Sequence, residues 1–245
     1  MKVGRFEVFQ PFPDVQTYFS TRLGGVSSAP FDSLNLGVLT DDRKENVLEN
    51  RERLFSALKI SQEQIVRQRQ VHGDRIAYVD KGQLHDETDA MFTDRPNLFL
   101  SVTAADCVPI LFFEPKRKII GVIHAGWRGT EKQIAFQTIE KVKDHFQIDA
   151  SEILAVIGPS ISAAHYEVSE EVAEKFAPDF VFRNGNVKPH LDLWKANADQ
   201  LAKAGVRKIT VTEFCTVTHS ELFFSHRGSG GQTGRMLGLI GLKEN

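Results

Sequence analysis

Between Ile65 and His124 the chain passes through one short strand-like segment after another, and no helix between them is strong enough to serve as a parallel crossover. Residues 65–71, 75–79, 98–103, 109–113 and 119–124 are rich in Val, Ile and Phe and are bounded by turn residues. A doubly wound parallel sheet needs strands and helices to alternate, so this run favours an α+β layered domain. Further strands are read at residues 5–9, 16–21, 153–157, 208–212 and 222–225. Helices are fewer. Residues 46–58 bring Val47, Leu54, Phe55 and Leu58 near one face, and residues 130–146 start at an N-cap threonine and carry Ala135, Ile139, Val142 and Phe146 as a stripe. Residues 169–176 are acidic in the first turn, and residues 190–204 align Leu191, Trp194, Ala198 and Leu201, with Gly205 at C′. No repeat or linker-like tract divides the chain, and residues 1–245 read as one domain.

Composition narrows the partners. Thirty Lys and Arg against 32 Asp and Glu leave a formal net charge of −2, without the basic footprint of a nucleic-acid binder. No stretch approaches the roughly 18 uninterrupted apolar residues of a membrane span. The N-terminal dozen carries Lys2, Arg5 and Glu7 and no apolar signal core, so a cytoplasmic protein is expected. Cys107 and Cys215 are too few for a disulfide framework in 245 residues. Nothing in the sequence specifies an oligomeric state.

The chemistry concentrates where strands give way to small residues. His72 ends a strand and precedes Gly73; Cys107 follows the segment at 98–103; His124 stands before Ala125-Gly126-Trp127-Arg128-Gly129. Loops at strand ends are where a sheet fixes functional side chains. Two imidazoles and one thiolate suit Zn²⁺ and leave a fourth tetrahedral position open, the mark of a catalytic site. Separations of 35 and 17 residues match no local ligand motif, so spacing alone favours two satisfied buried histidines and a core cysteine. A metal-free reading makes Cys107 a nucleophile, one histidine its base and Asp106 or Asp89 the orienter; plain turn contacts explain either carboxylate as well. Arg22, Arg128, Arg227 and Arg235 neighbour glycines, a setting for binding phosphate or carboxylate, although a solvated surface arginine explains any one of them. H-E-x-x-H, C-x-x-C and G-x-S-x-G are absent.

Gln70-Val71-His72-Gly73, Thr88-Asp89-Ala90, Ala105-Asp106-Cys107-Val108-Pro109-Ile110 and His124-Ala125-Gly126-Trp127-Arg128-Gly129-Thr130 together resemble the signature blocks of the polyphenol-oxidase laccase-domain family. Its members include purine nucleoside phosphorylases with a mononuclear zinc site and peptidoglycan editing factors. The resemblance reaches both ends, through Thr21-Arg22-Leu23-Gly24-Gly25-Val26-Ser27 with Ser33-Leu34-Asn35-Leu36-Gly37, and through Phe223-Phe224-Ser225-His226-Arg227 with Thr233-Gly234-Arg235.

The resemblance implies a four-layer α/β/β/α sandwich with mixed β-sheets and zinc held by His72, Cys107 and His124. It also implies phosphorolysis of adenosine, inosine, guanosine and methylthioadenosine to base and ribose-1-phosphate, with adenosine deamination besides. Purine nucleosides and phosphate are then the partners, with no nucleic acid and no membrane. Arg22 and Arg128 are the candidates to hold phosphate, and Asn35 and Gln70 to touch base or ribose. Two blocks depart from the family pattern: Gly158 to Val168, often richer in cysteine in relatives, holds none, and His226 stands where a tyrosine is usual.

Three other functions stay open at this point. One is a hydrolase editing peptidoglycan precursors. Another is a copper-dependent polyphenol oxidase, which needs more histidine ligands than these blocks hold. The third is a zinc-stabilised binding module without turnover.

Overall fold

In chain order, strands β1 (Val3–Gly4) and β2 (Val15–Ser20) precede helix α1 (Lys44–Leu58). Next come β3 (Ile65–Gln68), β4 (Ile76–Tyr78), β5 (Leu84–His85), β6 (Ala90–Thr93), β7 (Phe99–Ala104), β8 (Val108–Glu114) and β9 (Ile119–Ala125). Helices α2 (Trp127–Glu131) and α3 (Ile134–Phe146), strand β10 (Leu154–Ile157) and helix α4 (Glu170–Ala173) follow. The chain ends with β11 (Val181–Phe182), β12 (His190–Leu191), helix α5 (Leu193–Lys203), β13 (Lys208–Val211) and β14 (Met236–Leu242). This computed structural model describes residues 3–183 and 187–243; of the domain read over residues 1–245, positions 1–2, 184–186 and 244–245 lie outside the described residues. No helix among them is long and apolar enough to cross a membrane.

Two six-stranded mixed sheets form the centre, ordered β1-β2-β14-β7-β3-β5 and β13-β10-β8-β9-β6-β4. Side chains alternate across each strand, so one sequence feeds two cores. Leu111 and Phe113 point between the sheets, with Leu100, Val102, Val122 and Met236. Ile110 and Phe112 point the other way, against Ile134, Ile139 and Val142 of α3 and Leu201 of α5. On the far face of the first sheet, Tyr18, Ile65, Phe99, Leu237 and Leu239 pack on Leu54 and Phe55 of α1. Three apolar interfaces separate four layers, which is the α/β/β/α sandwich expected.

From β3 to β8 the chain shuttles between the sheets, taking alternate strands in each. The parallel pairs β3/β7, β3/β5 and β4/β6 therefore need no helical crossover, because a strand of the opposite sheet makes the return. Since β3, β5 and β7 run parallel, the three crossings that leave their C-terminal ends all lie along one edge of the sandwich. The C-terminus of β9 joins them, because β9 is antiparallel to β8 and sets His124 opposite Pro109.

Several local expectations change. Residues 5–9 form no strand: Glu7–Phe9 is a 3₁₀ turn that sends Phe6 and Phe9 into the inter-sheet core. Residues 222–225 are irregular, with consecutive Phe223 and Phe224 both buried, which a pleated strand cannot do on one face. The helix read from Thr130 is two helices, broken at Gln133, which takes a left-handed φ of 61°; Thr130 is buried inside α2 rather than capping α3. The helix read from His190 starts at Leu193, capped by Asp192, whose carboxylate accepts from Lys195 N; His190–Leu191 pairs with β11 instead. Helix α4 is shorter than read but begins at Ser169, whose hydroxyl accepts from Val172 N. Strands β6 and β14 had no clear signal. All seven residues of β14 are buried, and Gly238 and Gly241 remove the alternation that marks a strand.

Gly121 on β9 faces Phe112 across the strand pair, and a Cβ there would overlap the phenyl ring. Gly121→Ala should therefore destabilise the protein by about 1–3 kcal/mol through overpacking, read as a lower urea midpoint at unchanged slope.

Candidate metal centre

The shared edge gathers His72 from the β3–β4 crossing, Cys107 from the β7–β8 crossing and His124 from the end of β9. Their ligand atoms all lie within 4.8 Å of one another. The two imidazoles meet edge to face, with centroids 4.8 Å apart and planes at 76°. Tight reversals aim the donors: His72 takes φ 59° and Asp106, beside Cys107, takes φ 89°. Gly126 leaves room for the cluster, since a Cβ there would stand 3.1 Å from both Cys107 Sγ and His72 Cδ2.

One carboxylate organises the group. Asp89, at the β5–β6 crossing, is fully buried. Its Oδ1 accepts from His72 N at 3.0 Å, and its Oδ2 from Val71 N at 3.2 Å and Gly73 N at 2.8 Å. His124 Nδ1 lies 2.8 Å from Asp89 Oδ1, and His124 N donates to Asp89 O at 2.7 Å. Nδ1–H is thereby committed to the carboxylate, and Nε2 is left to face Cys107 and His72. Burial alone would raise the Asp89 pKa, but His124 and the backbone N–H groups outweigh it and hold the carboxyl below its usual range.

The same contest shapes the donors. Burial pushes the Cys107 thiol up, yet the charge and hydrogen bond of His124, then those of His72, bring it well below an ordinary thiol. Burial pushes His124 down, while Cys107 and Asp89 raise it above a free imidazole. The result is a thiolate held among imidazoles and backed by a buried carboxylate.

This donor set fits a single borderline-soft divalent ion. Tetrahedral Zn²⁺ sets its nitrogen and sulfur ligands about 3.3–3.8 Å apart, so donors already within 4.8 Å need little closure. Two imidazoles with a cysteine also occur at copper electron-transfer sites, which add a weak axial methionine. Neither Met91 nor Met236 lines the cavity beside the group. No second cluster of three such donors occurs among the described residues.

The centre opens into a cavity of about 620 Å³, inside the range of small-molecule sites. Six arginines line it, Arg51, Arg67, Arg69, Arg128, Arg227 and Arg235, against a single carboxylate, Asp106. That carboxylate is already engaged by Thr216 Oγ1 at 2.6 Å and Arg227 N at 2.6 Å. Arg128 lies over the Trp127 ring, 4.3 Å from its centroid.

The other residues singled out from the sequence are placed unevenly. Gln70 lines the cavity, but both ends of its amide are bound to Thr103: Nε2 donates to Thr103 O, and Oε1 accepts from Thr103 N and Oγ1. Arg22 does not line it; its guanidinium pairs with Asp32 at 3.1 Å and donates to Ser220 O. Asn35 is fully buried behind the wall, donating to Thr40 and Asp42 and accepting from Gly37 N and Arg235 N. Arg51 carries no motif, and its one signal in the sequence is that it occupies the gap in the buried Val47–Leu54–Phe55 face of α1, an unusual place for a charge.

The chain is similar to known proteins along nearly its whole length. Residues 16–243 match the family described as multi-copper polyphenol oxidoreductase laccase. The chain is 36% identical to the purine nucleoside phosphorylase YlmD of Bacillus subtilis (strain 168) over 244 residues, covering 92% of this chain and 88% of that protein. A purine nucleoside phosphorylase of Deinococcus radiodurans is 38% identical over 228 residues, covering 91% and 88%. The crystal structure of YlmD from Geobacillus stearothermophilus superimposes with a TM-score of 0.91 at 36% identity, covering 96% of this chain and 94% of that one.

Replacing Asp89 by asparagine keeps the side chain's shape but sets an amide NH₂ among backbone donors and loosens His124. Zinc affinity of Asp89→Asn, measured by competition with a chromogenic chelator, should fall about 10- to 100-fold. Unchanged affinity would remove Asp89 from any positioning role.

Proposed function

The chain belongs to the multi-copper polyphenol oxidoreductase laccase family, and from that premise we propose that it is a zinc-dependent purine nucleoside phosphorylase with an associated adenosine deaminase activity. The observation that carries this reading is a three-donor centre opening into a cavity of nucleoside size, lined by six guanidiniums and one carboxylate already spent on internal hydrogen bonds. The phosphorylase names of relatives at 36% and 38% identity support it. Both sheets contribute donors, which supports reading residues 1–245 as one catalytic unit. A reducing cytoplasm would keep Cys107 available as thiolate. Zinc is favoured over copper because the described residues offer one three-donor group, with no methionine beside it.

His72, Cys107 and His124 would hold the ion, which supplies a Lewis-acid charge at one end of the cavity. The remaining work falls to the chain's own groups. In phosphorolysis a phosphate oxygen forms a bond to the anomeric carbon as the glycosidic bond breaks, and the electron pair leaves with the purine nitrogen. Arg128, held against Trp127, is the guanidinium assigned to the phosphate. Tyr166 lines the same cavity, and burial first and the Cys107 charge second raise its pKa, so it stays a neutral hydrogen-bond donor. In deamination, water adds at C6 of adenine and ammonia leaves; an ion held by the same three donors would supply the charge that acidifies such a water.

A second reading has its own observation. His124 has Cys107 within 4.8 Å on one side and is hydrogen-bonded to Asp89 on the other, which is the order of a nucleophile, base and orienter. In that reading Cys107 Sγ attacks an amide carbonyl of a peptidoglycan precursor, the C–N bond breaks as His124 hands a proton to the leaving amine, and water then hydrolyses the thioester, with no metal taking part.

Adenosine and inosine incubated with the zinc-loaded protein should release adenine and hypoxanthine only when phosphate is present, as followed by HPLC, and adenosine should also yield inosine. Cys107→Ala should lose turnover together with about one equivalent of zinc. A zinc-loaded protein that leaves both nucleosides intact would sink the phosphorylase. Amide cleavage of a muropeptide precursor that survives chelation would establish the cysteine hydrolase in its place.

A further inference from the structure

Of the six arginines lining the cavity, Arg69 has its counter-ions at hand in Asp86 and Glu87. Among the described residues Arg51, Arg67 and Arg235 have no carboxylate within ion-pair distance. Side chains alternate along β3, so Arg67 shares a face with Ile65. Ile65 packs in the cluster that holds Leu54 and Phe55 of α1. Arg51 lies one turn before Leu54 and Phe55 on the same face of that helix. The apolar seam between α1 and β3 thus gives way, at its cavity end, to two arginines that both line the cavity.

Arg51 is only 6% exposed and is rooted by one hydrogen bond, Nη1 to Leu36 O at 2.8 Å, with its guanidinium 5.3 Å from the Phe55 ring centroid. Burial first and the Arg67 charge second lower its pKa to about 10. Two like charges at a half-closed site are costly without an anion between them. Arg235 stands on the metal-centre side of the pair: its side chain presses on Gly37, next to Leu36, while Asp106 and Cys107 are close enough for their charges to act on it. Val38, Leu39 and Leu84 supply an exposed apolar rim to the same cavity, and Leu84 is the cross-strand partner of Arg67.

We propose that Arg51 and Arg67, with Arg235 beside them, form a phosphoryl-binding subsite further back along β3 from the His72–Cys107–His124 centre. The pair suits a tetrahedral oxyanion because two planar forks can grip separate oxygens. Two sources carry that chemistry: the inorganic phosphate consumed in phosphorolysis, captured here before it meets Arg128, or a phosphate borne by the nucleoside itself, whose ring would lie on the apolar rim. The role of the anion rests on the phosphorolysis reading; its binding does not.

Calorimetric titration of zinc-loaded protein with inorganic phosphate, adenosine and adenosine 5′-monophosphate tests this. Arg67 is exposed, so Arg67→Gln should fold normally. Arg51→Met serves as the second variant, with its melting temperature recorded. We expect either variant to weaken anion binding about tenfold or more, with adenosine affinity unchanged. A loss on inorganic phosphate assigns the subsite to the co-substrate. A loss confined to the monophosphate assigns it to a phosphorylated ligand. Anion affinities unchanged in both folded variants, or no anion binding by the wild type, overturn the subsite. Arg67-dependent binding in a protein that turns over no nucleoside would sink the phosphorylase reading and leave the subsite standing.

Discussion

The centre depends on one buried carboxylate. Asp89 closes the hairpin-like reversal at Val71-His72-Gly73 by accepting three backbone N–H groups, and with Oδ1 it also fixes the His124 ring. A buried carboxylate is tolerated only when its lone pairs are satisfied. Here the partners that satisfy it are the segments that carry two of the three donors. Desolvation that would otherwise neutralise the acid is thereby converted into orientation of His72 and His124.

That carboxylate can reach both donors because of how the chain moves between sheets. Each parallel step within one sheet is completed by a strand of the other, so every crossing that leaves β3, β5 or β7 falls on the same edge. Gln70 reinforces this edge by tying the β3–β4 crossing to Thr103 on β7. On the α1 side, Asn50 is fully buried and performs a similar function for the wall. Its Nδ2 donates to Ser27 Oγ, Ser33 O and Asn35 O, and its Oδ1 accepts from Val26 N. Asn35 in turn holds Gly37 and Arg235 in place. Polar residues that look like substrate contacts in the sequence act here as the frame of the cavity, because a buried loop must satisfy its backbone groups internally.

Charge is distributed in keeping with that frame. The chain as a whole is slightly acidic, yet the cavity gathers six arginines against one committed carboxylate. Net charge therefore conceals a strongly cationic concavity, where low-dielectric walls strengthen attraction for an anion. The thiolate of Cys107 contributes the negative charge that a cation in the centre would meet.

The sequence by itself determined the layered α+β class and most central strands, and it singled out the three candidate donors that the fold brings together, since these depend on local alternation, turn chemistry and recognisable blocks around His72, Cys107 and His124. Single-strand signals failed where local rules lose force. Strand β14 is buried on both faces and interrupted by glycines, and the 5–9 and 222–225 segments follow the demand to bury Phe6, Phe9, Phe223 and Phe224 rather than a pleat. Only the tertiary structure decided which polar residues face the cavity. Arg22 and Asn35 lie in blocks as distinctive as that of Arg128, but Asp32 and the buried loop groups claim them first. Asp89, Arg51 and Arg67 gain their roles from partners that lie 35, 16 and 16 positions away along the chain, at His124, Arg67 and Arg51. No local pattern records such a pairing, because it exists only once the sheets have stacked and α1 has docked.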